Sequence, residues 1–372
     1  MRITKLDGLR GIFSLMVVLY HYPSQFMPEY FHDFFLIKKS HLFVEFFFVL
    51  SGFVIALNYR HVIDSGQKFW NFIRKRFIRL YPLLLYSTLL FLGVQIAVKI
   101  LFPQLAANKE SFMPAIVDTV DTLLFLNSTP VISNSYGMNY PSWSISAEMI
   151  SYLFFGMVML WCTAKRQPLV MAITIVLSMA LMLWVDLVAD EMNYDFLFGV
   201  AGCSIGFLVF HFSTYQVRLS RWWEIVAFVG MIGLLYLAYV VIDTPYSGLV
   251  EKVIAPLCFG LAIFIVVNCD GFISRSMDGR IAQYFGKISY SVYLNHALFL
   301  TVLPIGIFNV LHLPNSPVFE LAASTMILVL IIVYSHFTHK IVELGGSRLL
   351  KRLFNNANVT NNISGINRTA IH

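Results

Sequence analysis

The chain has 372 residues, a net charge of +6 and a mean hydropathy of +0.73. It is 58% hydrophobic and only 12% charged, against roughly 25% charged in soluble domains. This excludes an ordinary soluble enzyme and predicts a polytopic membrane protein; the alternating segments of a membrane β-barrel do not occur.

With about 20 residues needed per span, the apolar runs predict an all-α integral membrane protein. Its ten transmembrane helices fall near 8–26, 41–59, 77–101, 143–162, 168–188, 195–212, 224–242, 252–268, 288–311 and 317–337. Arg2 and Lys5 before the first run imitate a signal peptide. A small-residue cleavage site is missing, so the run reads as a retained helix. Of the 26 Lys and Arg, 21 fall in the first segment, in loops 60–76, 163–167, 213–223 and 269–287, in the tail, or at Arg79. Lys38, Lys39, Lys99, Lys109 and Lys252 fall on the other side. The positive-inside rule then places both termini in the cytoplasm. The excess charge is an orientation signal, so nucleic acid is not an expected partner; membrane lipids are. The external connection 102–142 holds a short helix over Ala115–Asn127, and Asp186, Asp190, Glu191 and Asp195 make another external loop acidic. Residues 1–344 read as one membrane domain, and 345–372 as a polar, Asn-rich, disordered cytoplasmic tail. The four cysteines are scattered singly and read as inert packing residues, with neither metal-ligand spacing nor a disulfide framework. No pattern specifies an oligomeric state.

Ionisable residues inside apolar helices mark functional sites by default. In DGLRGIFSLMVVLYHY, Arg10 and His21 stand eleven residues apart, on one helical face and about 16 Å apart along the axis. Arg10 either snorkels to the interface or serves the site. His21 either bonds a backbone carbonyl or acts as a general base, since its unperturbed pKa lies near neutrality. Glu45, near the outer end of the next helix, is at the depth of His21 and could orient the imidazole, or it simply faces external water. Ser51-Gly52 suits close helix packing. In FIRKRFIRLYP, Arg76 and Arg79 share a face behind Arg74 and Lys75. Such a cluster is either a lipid-headgroup signal or a bidentate phosphate site; no glycine-rich nucleotide loop accompanies it. Ser144, Glu148, Ser151 and Tyr152 form a polar stripe, beside Trp143 as an interfacial anchor. Ser289, Tyr293 and His296 share a later face, where a lone histidine also serves as a helix-packing hydrogen bonder.

In order, the segments LDGLRGI with Arg10 and His21, VEFFFVLSGFVIAL, RKRFIRLYP, WSISAEMISY and ISYSVYLNHALF resemble the acyltransferase-3 family of bacterial membrane O-acyltransferases. The resemblance covers residues 6 to 340, nearly the whole chain. It implies a multi-pass protein of the bacterial cytoplasmic (inner) membrane. The implied reaction moves an acyl group, usually acetyl, from cytoplasmic acetyl-CoA or another acyl-CoA to a hydroxyl of a cell-envelope carbohydrate or glycolipid, without a metal. Arg10 and His21 match the family's catalytic pair, and Arg76 and Arg79 its CoA-linked Arg-x-x-Arg motif, with Lys75 adjacent. Glu45 and Glu148 join the catalytic candidates; Ser144, Tyr293 and His296 are the substrate-binding candidates. After Glu148, Met149, Ile150 and Ser151 replace the second acid and Gln-Phe frequent in the family. The competing class is a secondary transporter or proton-coupled channel using the same His and Glu residues, although no inverted repeat is visible.

Overall fold

A computed structural model describes residues 3–101, 112–188, 192–215, 217–304, 306 and 316–355. The described residues are helical, without strands. The main helices are α1 (Thr4–Tyr20), α2 (Phe43–Tyr59), α3 (Gly66–Leu101), α4 (Met113–Leu123), α5 (Trp143–Trp161) and α6 (Gln167–Val188). They continue as α7 (Phe196–Ser213), α8 (Trp222–Val240), α9 (Ala255–Asn268), α10 (Arg280–Pro304) and α11 (Pro317–Thr338). Among the described residues, eight helices are long and apolar enough to cross a membrane. With α1 and α10, every expected span has a counterpart, and the chain is a multi-pass membrane protein. The short helix expected over 115–127 is present as α4.

Helix α10 starts at Arg280 rather than at 288, and three other boundaries differ from expectation, each for a local reason. Helix α1 stops at Tyr20 rather than running to residue 26, and His21 is its C-terminal cap. Pro23 lacks an N–H and disfavours helical backbone at Tyr22. Helix α3 starts at Gly66, not at 77, so Arg76 and Arg79 lie well inside it. Phe69, Phe72, Ile73 and Arg76 are all buried on one stripe, and that stripe carries the helix through a cationic stretch that lowers local hydropathy. Helix α11 continues through a π-helical turn, His339–Glu343, to Asn355. The first part of the expected disordered tail, residues 345–355, is therefore helical. Ser347 fastens it to α3 by donating to the Ile78 carbonyl at 2.8 Å, and Gly346 lies against Pro82. Residues 356–372, 102–111, 307–311, Asp190 and Glu191 lie outside the described residues.

Glycines set the closest helix contacts, as small residues do where lipid tails remove the hydrophobic drive between helices. A Cβ on Gly52 of α2 would run into the Cys203 carbonyl of α7, and one on Gly206 of α7 into the Val49 carbonyl of α2. Likewise Gly11 of α1 lies on the backbone of Gly286 in α10. Backbone cannot step aside as a side chain can. We therefore expect Gly206→Leu to destabilise the protein by about 1–3 kcal/mol or more through overpacking. Thermal unfolding in detergent checks this; Gly93→Leu, at an open position on α3, should leave the transition in place.

The bundle ends differ in charge partners. At one, Lys5 bonds the Cys269 carbonyl and pairs with Asp270 at 3.2 Å. At the other, Lys39 pairs with Glu251 at 2.7 Å and Lys252 with Asp186.

Candidate active site

Helices α1, α2, α3, α5 and α10 enclose a cavity of about 380 Å³. It extends along α2 from Leu57 to Val44, a run of about 20 Å at 1.5 Å per residue. The α2 wall is apolar apart from Ser51, whereas Arg10, Arg76, Arg79, Glu148, Ser144 and Tyr293 line the rest together with Asp7 and Ser289. Six of the ten site candidates thus meet in one space.

Arg10 does not snorkel outward. Its Nε donates to the Ser289 hydroxyl at 2.9 Å and a terminal nitrogen to the Gly286 carbonyl at 2.8 Å, with Asp7 at 3.7 Å. These bonds tie α1 to α10 while the guanidinium faces the cavity. Arg76 is buried, its guanidinium carbon 4.9 Å from the Tyr59 ring centre, 5.5 Å from Tyr152 and 5.6 Å from Phe72. The rings hold it by cation–π attraction, and its Nε has no hydrogen-bond partner among the described residues. Arg79 is exposed to the cavity, and its charge interacts with those of Glu148 and Glu343. Lys75 is exposed, 5.9 Å from the Tyr59 ring, and does not line the cavity.

Glu148 accepts at one carboxylate oxygen from Ser51 at 2.7 Å and from Tyr152 at 2.5 Å. Gly52 packs on α7 while Ser51, one position back, turns into the site; the Ser51-Gly52 pair divides the two tasks. The Ser144 hydroxyl lies 2.8 Å from that of Tyr293, with Phe47 beside the Tyr293 ring. Trp143 is half-buried and packs against Phe48 and Phe198.

His21 lies beyond the cavity. Its Nδ1 is 2.8 Å from the Val17 carbonyl, and a carbonyl only accepts, so Nδ1 carries the proton and Nε2 the lone pair. The His296 ring centre is 5.0 Å away, with Tyr140 at 5.1 Å and Tyr20 at 4.8 Å. Tyr293, which lines the cavity, is 5.9 Å from His296. Successive ring contacts thus lead from Tyr293 on the cavity wall through His296 to His21. The structure does not bond Glu45 to His21, as Val17 takes that place. Glu45 is buried, with one carboxylate oxygen unpartnered among the described residues.

Sequence reasoning overlooked Tyr140, which contacts both histidines, and Glu343. The latter accepts from Ser291 and faces His339, each at 2.9 Å. The His339-x3-Glu343 spacing was a visible cue, obscured because it sits where polar tail sequence begins.

The described residues thus form a helical membrane bundle around an arginine-lined cavity, with His21 and His296 in ring contact beyond its lining. The sequence profile of the acyltransferase domain family matches residues 3–336, so the chain belongs to the acyltransferase-3 family. It is 33% identical over 175 residues to acyltransferase MdmB of Streptomyces mycarofaciens, covering 45% of this chain and 41% of MdmB. Over 190 residues it is 28% identical to protein 2 in the picA locus of Rhizobium radiobacter, covering 48% of this chain and 93% of that protein. Over 318 residues it is 23% identical to O-acetyltransferase OatA of Staphylococcus aureus, covering 78% of this chain and 49% of OatA. The matches thus span less than half of MdmB and of OatA. No solved structure matches.

Proposed function

We propose that the protein is a membrane O-acyltransferase that moves an acyl group, acetyl in the simplest case, from acyl-CoA to a hydroxyl of a cell-envelope carbohydrate or glycolipid. The observation that carries this reading is the placement of Arg10, Arg76 and Arg79 in one cavity whose lining residue Tyr293 leads through His296 to His21. Arg76 and Arg79 meet the phosphates of the donor by charge-assisted hydrogen bonds, and the apolar α2 wall takes the pantetheine arm. The Lys- and Arg-rich end faces the cytoplasm, the source of acyl-CoA, in a bacterial cytoplasmic membrane. His21, at the opposite end, removes the proton of the acceptor hydroxyl through Nε2, with the Val17 carbonyl holding the tautomer. Ser144 and Tyr293 position the thioester end. Glu148 keeps the arginines facing inward as their counter-charge. Glu45, with its unpartnered oxygen at the acceptor end, stabilises the imidazolium electrostatically or binds acceptor hydroxyls. The name of OatA, an O-acetyltransferase, agrees with this chemistry.

The test is reconstitution in liposomes with acetyl-CoA and an envelope glycan or glycolipid fraction, read by mass spectrometry. The expected result is an acetyl adduct that requires acetyl-CoA. Flux of a solute or protons without CoA, and no adduct, would instead establish the transporter class.

A further inference from the structure

His296 is fully buried, at 0% exposure, and neither ring nitrogen makes a hydrogen bond among the described residues. The Val292 and Tyr293 carbonyls, one turn back on the same helix, interact with the ring but fall outside hydrogen-bond geometry, and no other helix supplies a partner among the described residues. A buried polar group left unpaired costs about 1–3 kcal/mol, and native structures tolerate few of them. A packing histidine would have closed a bond to a neighbouring helix, as Asn295 next to it does by donating to Thr338 at 2.7 Å. His296 instead meets His21 at 5.0 Å, Tyr140 at 5.8 Å and Tyr293 at 5.9 Å between ring centres. Its ring contacts thus link Tyr293 on the cavity wall to the half-buried His21.

We propose that His296 is the oxyanion donor of the acyl transfer, a role that rests on the reading above. The acceptor oxygen forms a bond to the thioester carbonyl carbon while its proton passes to His21 Nε2. The carbonyl π pair moves onto the carbonyl oxygen, which accepts a hydrogen bond from a ring N–H of His296. When that pair returns, the carbon–sulfur bond breaks, and the CoA thiolate takes the proton from the His21 imidazolium. A neutral imidazole suffices as donor, so His296 never changes protonation state. Its unmet hydrogen bond in the resting protein is filled only as charge develops, which favours the transition state over the bound donor.

The experiment compares His296→Gln and His296→Phe in the purified full-length protein, with acetyl-CoA and the acceptor fraction each varied. Removing an oxyanion donor costs about 10²–10³-fold in kcat. That loss is expected in His296→Phe with both KM values unchanged, and His296→Gln, which keeps an N–H but cannot titrate, should recover at least about tenfold of it. If the Phe variant does not fold, His296→Leu serves as the apolar member. Equal inactivity of folded Gln and apolar variants would overturn the assignment in favour of a titrating relay. So would wild-type kcat in the apolar variant, or a loss confined to KM. A wild type that makes no CoA-dependent adduct overturns the acyl-transfer reading itself, and this role with it.

Discussion

Replacing His21 by alanine should reduce kcat by about 10²–10⁴-fold, the usual contribution of a positioned general base. The fold should survive, because His21 caps α1 rather than sitting inside it. The side chain's hydrogen bond to Val17 is worth only about 1 kcal/mol net. Donor binding should be unaffected, since the ring does not line the cavity. Free CoA release and acceptor acetylation, measured beside thermal unfolding, decide the point. Full activity in a folded His21→Ala protein would remove the base from the mechanism. Acetyl-CoA hydrolysis persisting without transfer would instead place His21 on the acceptor alone.

The double variant Arg76→Ala/Arg79→Ala should fail at the other end of the reaction. Each charge-assisted hydrogen bond contributes about 1.5–3 kcal/mol, so losing one from each arginine weakens CoA binding by about 10²–10⁴-fold. The two are close enough to couple, so the sum is an upper range. CoA-dependent thermal stabilisation of the wild type should vanish in this variant, whereas kcat at saturating donor falls far less. Arg79→Lys should rescue poorly, because a point charge does not replace the guanidinium fork. Unaltered stabilisation by CoA in the double variant would show that the phosphates lie elsewhere.

The spans and the charged groups of the cavity wall were legible because their signals are local. Apolar runs of membrane length follow from periodicity, and the shared depth of Arg10, Arg76 and Arg79 from the distribution of Lys and Arg along the chain. What stayed hidden depends on rotation and pairing of helices. Glu45 and His21 have matching depth, yet depth says nothing of azimuth, and α1 gives its histidine side to α10. The cue for that pairing was Gly11 and Gly286, whose contact brings His21 to His296. The start of α3 was masked by Arg74–Arg79, since hydropathy is blind to a cation stacked on aromatic rings. Tyr140 had no signal in its own segment, because only the packing of that loop on α1 and α10 gives it a role.

The Tyr293–His296 contact has an electrical consequence. A polar passage from the arginine cavity to the far end of the bundle would be a conduction path for protons and small ions across a polarised membrane. Each elementary charge crossing gains about 2.3 kcal/mol per 100 mV. On the proposed mechanism, the buried imidazole and the Tyr293 ring, with Phe47 beside it, would have to interrupt that path whenever no donor is bound. Acyl transfer across a bilayer by the proposed route would thus require the enzyme to pass a thioester without passing charge.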